Sequence, residues 1–113
     1  MSNPGDNYDA NNDELNQPLY KTHIYMIPLH MRAAMLRYIE HGVQPGVFLE
    51  AVLTNNLTNA VLCADNMNQS ALVNYVNYLY RYAPWQCWGS EVKYNLWCQA
   101  KGLESFDETP NKD

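Results

Sequence analysis

Short apolar segments with helical spacing, each closed by a helix-breaking residue, restrict the fold of this sequence more than any other feature. Apolar residues recur at intervals of three and four positions in five segments. These segments cover residues 28–41, 47–54, 57–64, 67–82 and 91–101. Gly, Pro or Asn separates each segment from the next, and the connections are short. The pattern predicts an all-α domain, a compact bundle of about five short helices.

The predicted helix ends carry residues that favour them. Gly42 suits a left-handed stop for the first helix. Asn56 and Ser90 can cap the third and fifth helices, because their side chains accept hydrogen bonds from free amides. Asn66, with a Gln three residues later, resembles a capping box and is expected to open the longest helix. Residues 22–27 are apolar and partly β-branched, and we expect an extended arm or a short edge strand there.

The charge of −5 is concentrated at the two ends of the chain. Residues 1–20 carry four acidic and no basic side chains, and residues 104–113 carry four acidic side chains against one Lys, whereas residues 21–103 carry +2. The N-terminal composition cannot bury enough apolar surface to offset the entropy of ordering. We therefore predict a flexible acidic N-terminal segment (1–21), a helical domain (22–103) and an acidic C-terminal tail (104–113).

Eight of the fourteen aromatic residues fall within 23 positions of the fourth and fifth predicted helices. They are Tyr75, Tyr78, Tyr80, Tyr82, Trp85, Trp88, Tyr94 and Trp97. Each ring can bury about 150–250 Å², more in total than a small core accommodates. Tyr80, Trp88 and Trp97 are assigned to the core. The predicted partner- or ligand-binding surface consists of Tyr78, Arg81, Tyr82 and Trp85, since interface hot spots favour Tyr, Trp and Arg.

A line of basic residues along the first helix is a candidate anion site. His30, Arg37 and His41 are spaced to lie along one side of that helix. Gly46, in the following turn, precedes the free amides that open the second helix, where anions bind readily. The alternative is a solvated helix face on which Arg37 contacts its neighbour Glu40 or His41.

No catalytic arrangement is evident in the sequence. Nucleophile elbows, Walker loops and zincin motifs are absent, so we expect no enzyme activity and no catalytic residues. We expect no cofactor, and no metal site, because the histidines and cysteines lack close ligand pairs. Cys63, Cys87 and Cys98 are predicted to be free thiols, with Cys63 buried at a helix end; a Cys87–Cys98 disulfide is the alternative.

The charge pattern also limits the partners. A body of only +2 between acidic ends lacks the basic footprint of duplex-binding proteins, so we expect no strong direct nucleic-acid binding. The acidic ends could instead mimic nucleic acid in a basic groove of another protein, or serve only for solubility. No apolar run approaches 18 residues and no leader segment is evident, which predicts a cytoplasmic protein without membrane association.

One stretch of the chain resembles a family of small helical proteins encoded by bacteriophages and prophages. The matching residues are Arg37-Tyr38-Ile39-Glu40-His41-Gly42, Pro45-Gly46, Phe48-Leu49, Ala51-Val52-Leu53, Asn56-Leu57, Ala64-Asp65, Tyr78-Leu79-Tyr80 and Cys87-Trp88-Gly89-Ser90. The resemblance covers about 70 residues and brings no catalytic residues with it. Asn56 stands where the family has an acidic residue, and Glu91 stands where it has Pro.

The resemblance implies a protein that acts in the host cytoplasm through binding. Its expected function is to antagonise a host defence or another host factor by stoichiometric protein–protein interaction, for example as an anti-CRISPR-type inhibitor. A host protein is then the expected partner. One alternative is a sponge for a nucleotide immune signal, with Arg37 and His41 on the phosphate and Tyr78, Tyr82 or Trp85 on the base. The other is a homo-oligomeric accessory protein of phage replication or regulation.

Overall fold

The computed structural model describes residues 16–106, and the regular secondary structure in this part of the chain consists of helices alone, without β-strands. The α-helices are α1 (Leu19–Thr22), α2 (Leu29–His41), α3 (Val47–Leu53), α4 (Leu57–Cys63), α5 (Asn66–Ser70), α6 (Leu72–Tyr82), α7 (Glu91–Gln99) and α8 (Leu103–Phe106). Two 3₁₀ helices cover Ile24–Met26 and Trp85–Cys87. The predicted all-α fold is confirmed. The helices are more numerous than expected, because α1 and α8 were not predicted and one predicted helix is divided.

Several helix ends form as their residues predict. Gly42 ends α2 in the left-handed conformation, with a φ of +67°. The side chain of Asn56 accepts the N–H of Asn59 at 3.1 Å and opens α4. Ser90 does the same for the N–H of Lys93, also at 3.1 Å, and opens α7. The end of α2 and the starts of α4 and α7 are therefore set by capping chemistry that is visible in the sequence.

The predicted extended arm at residues 22–27 is wrong. This segment contains the end of α1 and the 3₁₀ helix, and it folds back so that Ile27 is buried. Arg32 stabilises the turn, because its Nε donates to the carbonyl of Ile27 at 2.9 Å and its Nη2 donates to that of Tyr25 at 3.0 Å. Local helical bonds and one guanidinium thus satisfy the backbone that a strand would have left unpaired.

The packed region extends beyond the predicted limits of residues 22–103. Tyr20, assigned to the N-terminal segment, is buried and donates its hydroxyl to Glu40 Oε2 at 2.8 Å. Glu104, assigned to the C-terminal tail, lies in α8, and its Oε1 lies 2.9 Å from Nδ1 of His41. The rest of the two acidic ends, residues 1–15 and 107–113, lies outside the described residues.

The predicted helix over residues 67–82 is divided into α5 and α6 at Ala71. Asp65, rather than the predicted Asn66, caps α5, because its carboxylate accepts the N–H of Asn68 at 2.7 Å. The side chain of Asn68 is buried and accepts the hydroxyl of Tyr75 at 2.7 Å. Asn68, a polar residue of the short α5, therefore makes its side-chain hydrogen bond inside the core and not with solvent.

Aromatic rings from five helices, α1, α2, α3, α6 and α7, lie in the core. Tyr38 donates to the carbonyl of Cys87 at 2.7 Å, and Trp97 Nε1 donates to the carbonyl of Tyr38 at 3.0 Å. Tyr94 stacks on Tyr38 with ring centroids 5.5 Å apart. Burial raises the pKa of the Tyr38 and Tyr94 phenols well above their ordinary value, so both stay protonated.

Helical spacing in the sequence predicts an apolar stripe of Val92, Leu96 and Ala100 on α7 and one of Leu57, Ala60, Val61 and Ala64 on α4, and neither faces the core as a whole. On α7, Val92 and Leu96 are exposed while Tyr94 and Trp97 are buried. On α4, only Ala60 is buried, and Leu57 and Val61 face outward. On α7 the larger rings take the interior positions, because each ring buries more surface than a Val or Leu, and the indole N–H of Trp97 also donates to the carbonyl of Tyr38.

The end of α2 touches the turn between α7 and α8 at two glycines. Gly42 and Gly102 both have positive φ, +67° and +64°. A Cβ on Gly102 would lie 2.6 Å from the carbonyl oxygen of Ile39 and 2.7 Å from the nitrogen of Gly42. The two backbones can approach this closely only because neither residue has a side chain.

Candidate functional site

The structure separates the four residues of the predicted aromatic surface. Tyr78 is fully buried and donates its hydroxyl to the carbonyl of Tyr20 at 2.6 Å, so its assignment to an exposed surface is wrong. Tyr82 is half-buried, and its ring stacks on His23 with centroids 3.8 Å apart. Only Arg81 and Trp85 are exposed. Tyr78 and Tyr82 therefore belong to the packed interior and its margin.

The core assignments made from the sequence have mixed outcomes. Trp97 is buried, as predicted, and Trp88 is half-buried against the core. Tyr80 is 79% exposed, so its assignment to the core is wrong. Tyr78 and Tyr80 are two positions apart on α6, and such residues point about 160° away from each other. One of the two must face outward, and the sequence assignment chose the wrong one.

The predicted anion site does not assemble. His30 Nε2 lies 3.0 Å from Asp65 Oδ2, and His41 Nδ1 lies 2.9 Å from Glu104 Oε1, so each histidine already contacts a carboxylate. The two histidines are also about 16 Å apart along α2, given a rise of about 1.5 Å per residue. Arg37 is exposed between them, and Gly46 is the N-cap residue of a different helix, the seven-residue α3. The four residues do not converge on one ligand.

Asp65 gives the His30 contact a pH-dependent role in stability. The N–H of Asn68 is the main cause that lowers the pKa of Asp65, and His30 adds to it. Because this pKa is lower in the folded chain, the stabilisation is complete above the ordinary value of 3.8 and is lost as the pH falls through the folded value. Asp65→Asn keeps a capping acceptor but removes the charge. We expect a lower urea midpoint than wild type at pH 7 and a difference that shrinks as the pH falls below 3.8; a pH-independent difference would contradict this assignment.

The outer side of α6 presents a continuous apolar surface. Val73, Val76 and Tyr80 are all exposed and follow the spacing i, i+3, i+7 that places them on one side of a helix. Together they are called the α6 surface below. On the same helix Tyr75, Tyr78 and Leu79 face the core. The apolar arc of α6 is therefore about twice as wide as one packed interface needs, and half of it is uncovered.

An apolar groove of about 210 Å³ continues from the α6 surface toward α4. Val76 and Leu72 form its α6 side, Leu57 and Ala60 its α4 side, and Trp88 lies in it as well. Leu57 is 71% exposed and Val76 49% exposed. Single exposed apolar side chains are ordinary, but a contiguous group that lines a groove is typical of an interaction site.

A second apolar surface surrounds Trp85. This ring is 69% exposed, and the ammonium of Lys93 lies 5.1 Å from its centroid. Trp85, Lys93 and Leu96 line a groove of about 210 Å³. The exposed part of the predicted aromatic surface is thus retained, with Lys93 rather than Arg81 as the cation that contacts the ring.

A polar cleft of about 490 Å³ lies on the other side of the α3–α4 corner. It shares Ala51 and Asn56 with the apolar groove, so the two depressions adjoin. Glu50 and Glu91 bring carboxylates to the cleft from α3 and α7. Neither the groove nor the cleft was predicted, because both combine residues that are distant in the sequence.

The three thiols are free, as predicted, and differ in exposure. Cys63 is exposed in the polar cleft, so its assignment as a buried residue is wrong. Burial raises the pKa of Cys87 to about 12, the opposite of what an activated nucleophile requires. Within residues 16–106, no three His, Cys, Asp or Glu side chains are grouped as ligands for a metal ion.

The fold and its surfaces together define a small all-α protein with adjoining apolar and acidic depressions. None of the helices in the described part of the chain is both long and apolar enough to cross a membrane. No family model, curated protein or solved structure matches the chain.

Proposed function

We propose that this is a non-enzymatic binding protein that antagonises a host factor, such as a defence protein, by stoichiometric protein–protein interaction. The single observation that carries the proposal is the α6 surface with its groove. It exposes contiguous large apolar side chains on a domain that has already buried its own core. Exposed apolar surface of this kind is typical of a protein interface.

The resemblance to phage-encoded proteins supports the part of the proposal that names a host factor as the target. A phage protein that acts in the host cytoplasm meets host proteins as its immediate targets. Tyr80 and Trp85 would be the anchoring rings, since Tyr and Trp bring large contact area at low entropy cost. Their exposure makes both available without any rearrangement of the core.

The geometry favours a protein partner over a nucleotide. Both histidines of the predicted phosphate site contact carboxylates, and one face of the Tyr82 ring is occupied by His23. A nucleotide sponge would also rise in melting temperature with its ligand by mass action. We expect no such rise with cyclic or linear nucleotides.

Substitution of the α6 surface should abolish partner binding without unfolding the domain. The double variant Val76→Ser, Tyr80→Ser removes two exposed side chains that support the surface, and we expect affinity for the partner to fall at least about tenfold. The partner is captured from infected host cells, purified, and titrated by calorimetry, which also gives the stoichiometry. Native mass spectrometry of the free protein reports whether it self-associates instead.

Leu29→Ser is the matched control for this variant. Leu29 is about as exposed as Tyr80, but it lines neither the apolar groove between α6 and α4 nor the groove beside Trp85. We expect it to bind the partner like wild type, and all three proteins to share one melting temperature. Equal binding by the double variant would refute the α6 surface as the interface.

A further inference from the structure

Two carboxylates in the described part of the chain have no basic partner, and both line the same cleft. Residues 16–106 contain five acidic side chains. Glu40 pairs with Lys21 at 3.6 Å, Asp65 with His30, and Glu104 with His41. Glu50 and Glu91 remain, and both are exposed in the polar cleft. An acidic residue in the first turn suits a helix dipole, but this does not explain why two helices direct theirs to one cleft.

The cleft and the apolar groove form one continuous depression around α4. Ala60 of α4 faces the groove, whereas Asn59 and Cys63 of the same helix face the cleft. Ala51 and Asn56 border both. None of the described Lys, Arg or His side chains lines either part. An occupant therefore meets apolar side chains on one side and uncompensated negative charge on the other.

We infer that this depression binds a basic amphipathic helix of the partner protein. The apolar side of such a helix, with anchors at i, i+3 or i+4 and i+7, would lie against Leu57, Val76 and Trp88. Its Lys or Arg side chains would extend past α4 and pair with Glu50 and Glu91, because their long apolar stems can follow the groove wall. The inference rests on the proposed function and names the class of partner segment that binds in the depression beside the α6 surface.

Charge complementarity distinguishes this occupant from the alternatives. A second copy of the chain would bring the same uncompensated carboxylates, and like charges at an interface are unfavourable. An acidic or neutral helix would leave Glu50 and Glu91 beside the interface without partners. A basic helix compensates both, and its association should weaken as salt concentration rises.

The test uses three fluorescein-labelled helical peptides of 18 residues (a length of about 27 Å) that share one Leu face. They carry Lys, Gln or Glu along the flanks, and anisotropy measures their binding to the full chain. We expect the Lys peptide to bind roughly tenfold more tightly than the Gln peptide at low salt, and the Glu peptide to bind weakest. Glu50→Gln with Glu91→Gln should remove the preference for Lys over Gln. Leu57→Ser should weaken binding of the Lys and Gln peptides.

The control variant removes the same charge elsewhere. Asp65→Asn with Glu104→Gln also deletes two carboxylates, both outside the depression, and we expect it to keep the preference for Lys. Reaction of the exposed Cys63 with a bulky maleimide should block the Lys peptide, and Cys63→Ser treated in the same way should still bind it. These two comparisons separate a local site from general attraction to an acidic protein.

Each remaining outcome has a defined meaning. Equal binding of the Lys and Gln peptides, or a preference that survives Glu50→Gln with Glu91→Gln, overturns the inference. A dimer in sedimentation that Leu57→Ser dissociates also overturns it, because a second copy then occupies the groove. The proposed function fails separately, when Val76→Ser with Tyr80→Ser retains the captured host protein.

Discussion

Replacing Tyr78 with Ala should lower the free energy of unfolding by about 3–5 kcal/mol, whereas the same change at Tyr80, two residues away, should alter it by less than about 0.5 kcal/mol. Tyr78 is fully buried and its hydroxyl donates to the carbonyl of Tyr20. Ala leaves a cavity, and it leaves the carbonyl of Tyr20 without the hydrogen bond that joins α1 to α6. Tyr80 is 79% exposed and loses only solvent contacts.

Urea titrations of both variants measure the difference in the free energy of unfolding. The variant Tyr78→Phe separates the contribution of the hydroxyl from that of the ring. Phe keeps the ring and removes only the hydroxyl, so we expect a loss of about 1–3 kcal/mol. Since a domain is stable by only about 5–15 kcal/mol, Tyr78→Ala should be partly unfolded at 37 °C. Comparable midpoints for Tyr78→Ala and Tyr80→Ala would show that the assignment of the two sides of α6 is wrong.

Gly102→Ala should destabilise the fold by at least about 3 kcal/mol. Its φ of +64° costs an L-residue about 1–2 kcal/mol, and the added Cβ meets backbone atoms 2.6–2.8 Å away. Those atoms belong to Ile39, Glu40 and Gly42 near the end of α2. No flexible side chain can move aside, so the end of α2 and the α7–α8 turn must separate.

Gly46→Ala is the matched control for Gly102→Ala. Gly46 has a φ of −70°, and no atom lies within 4 Å of a Cβ built there. We expect a change of less than about 1 kcal/mol in either direction. Thermal unfolding followed by circular dichroism compares the two variants with wild type. An equal decrease for both would mean that the glycines matter for helix propensity and not for close approach.

The fold class and several helix limits could be read from the sequence because they depend on local chemistry. The N–H of Gly42 donates to the carbonyl of Tyr38, and the side chains of Asn56 and Ser90 accept amide N–H groups three residues further on. Local chemistry also allowed the one capping error, since Asp65 and Asn66 are adjacent and both can cap. Asp65 is the residue whose side chain accepts the N–H of Asn68.

The direction of the aromatic rings could not be read in the same way. The apolar arc of α6 is wide enough for either half to face inward, and neighbouring elements decide which half does. Tyr78 is buried because α1 supplies the carbonyl of Tyr20, and α1 itself was not predicted. The error at Tyr80 is therefore linked to the omission of residues 19–21 from the predicted helical domain.

The candidate site could not be predicted from the sequence, because it too depends on contacts between distant segments. Glu50 and Glu91 are far apart in the chain, and only the packing of α3 against α7 brings both to one cleft. Of the predicted binding residues, Trp85 remains exposed and Arg81 does too. His30 and His41 were predicted to form part of an anion site, and the fold supplies each with a carboxylate from a distant helix or helix cap.

The hydrogen bonds of the aromatic core also bear on how fast the chain folds. Tyr38 bonds to a residue 49 positions away, Tyr78 to one 58 away and Trp97 to one 59 away. Closing a loop of that length costs about 3.6 kcal/mol of chain entropy, whereas a short helix forms within about a microsecond. The helices should therefore form early and dissolve repeatedly, and the rate-limiting step should be the meeting of α1, α2 and α7 around the tyrosines. This all-α protein should fold more slowly than a bundle whose contacts are all local.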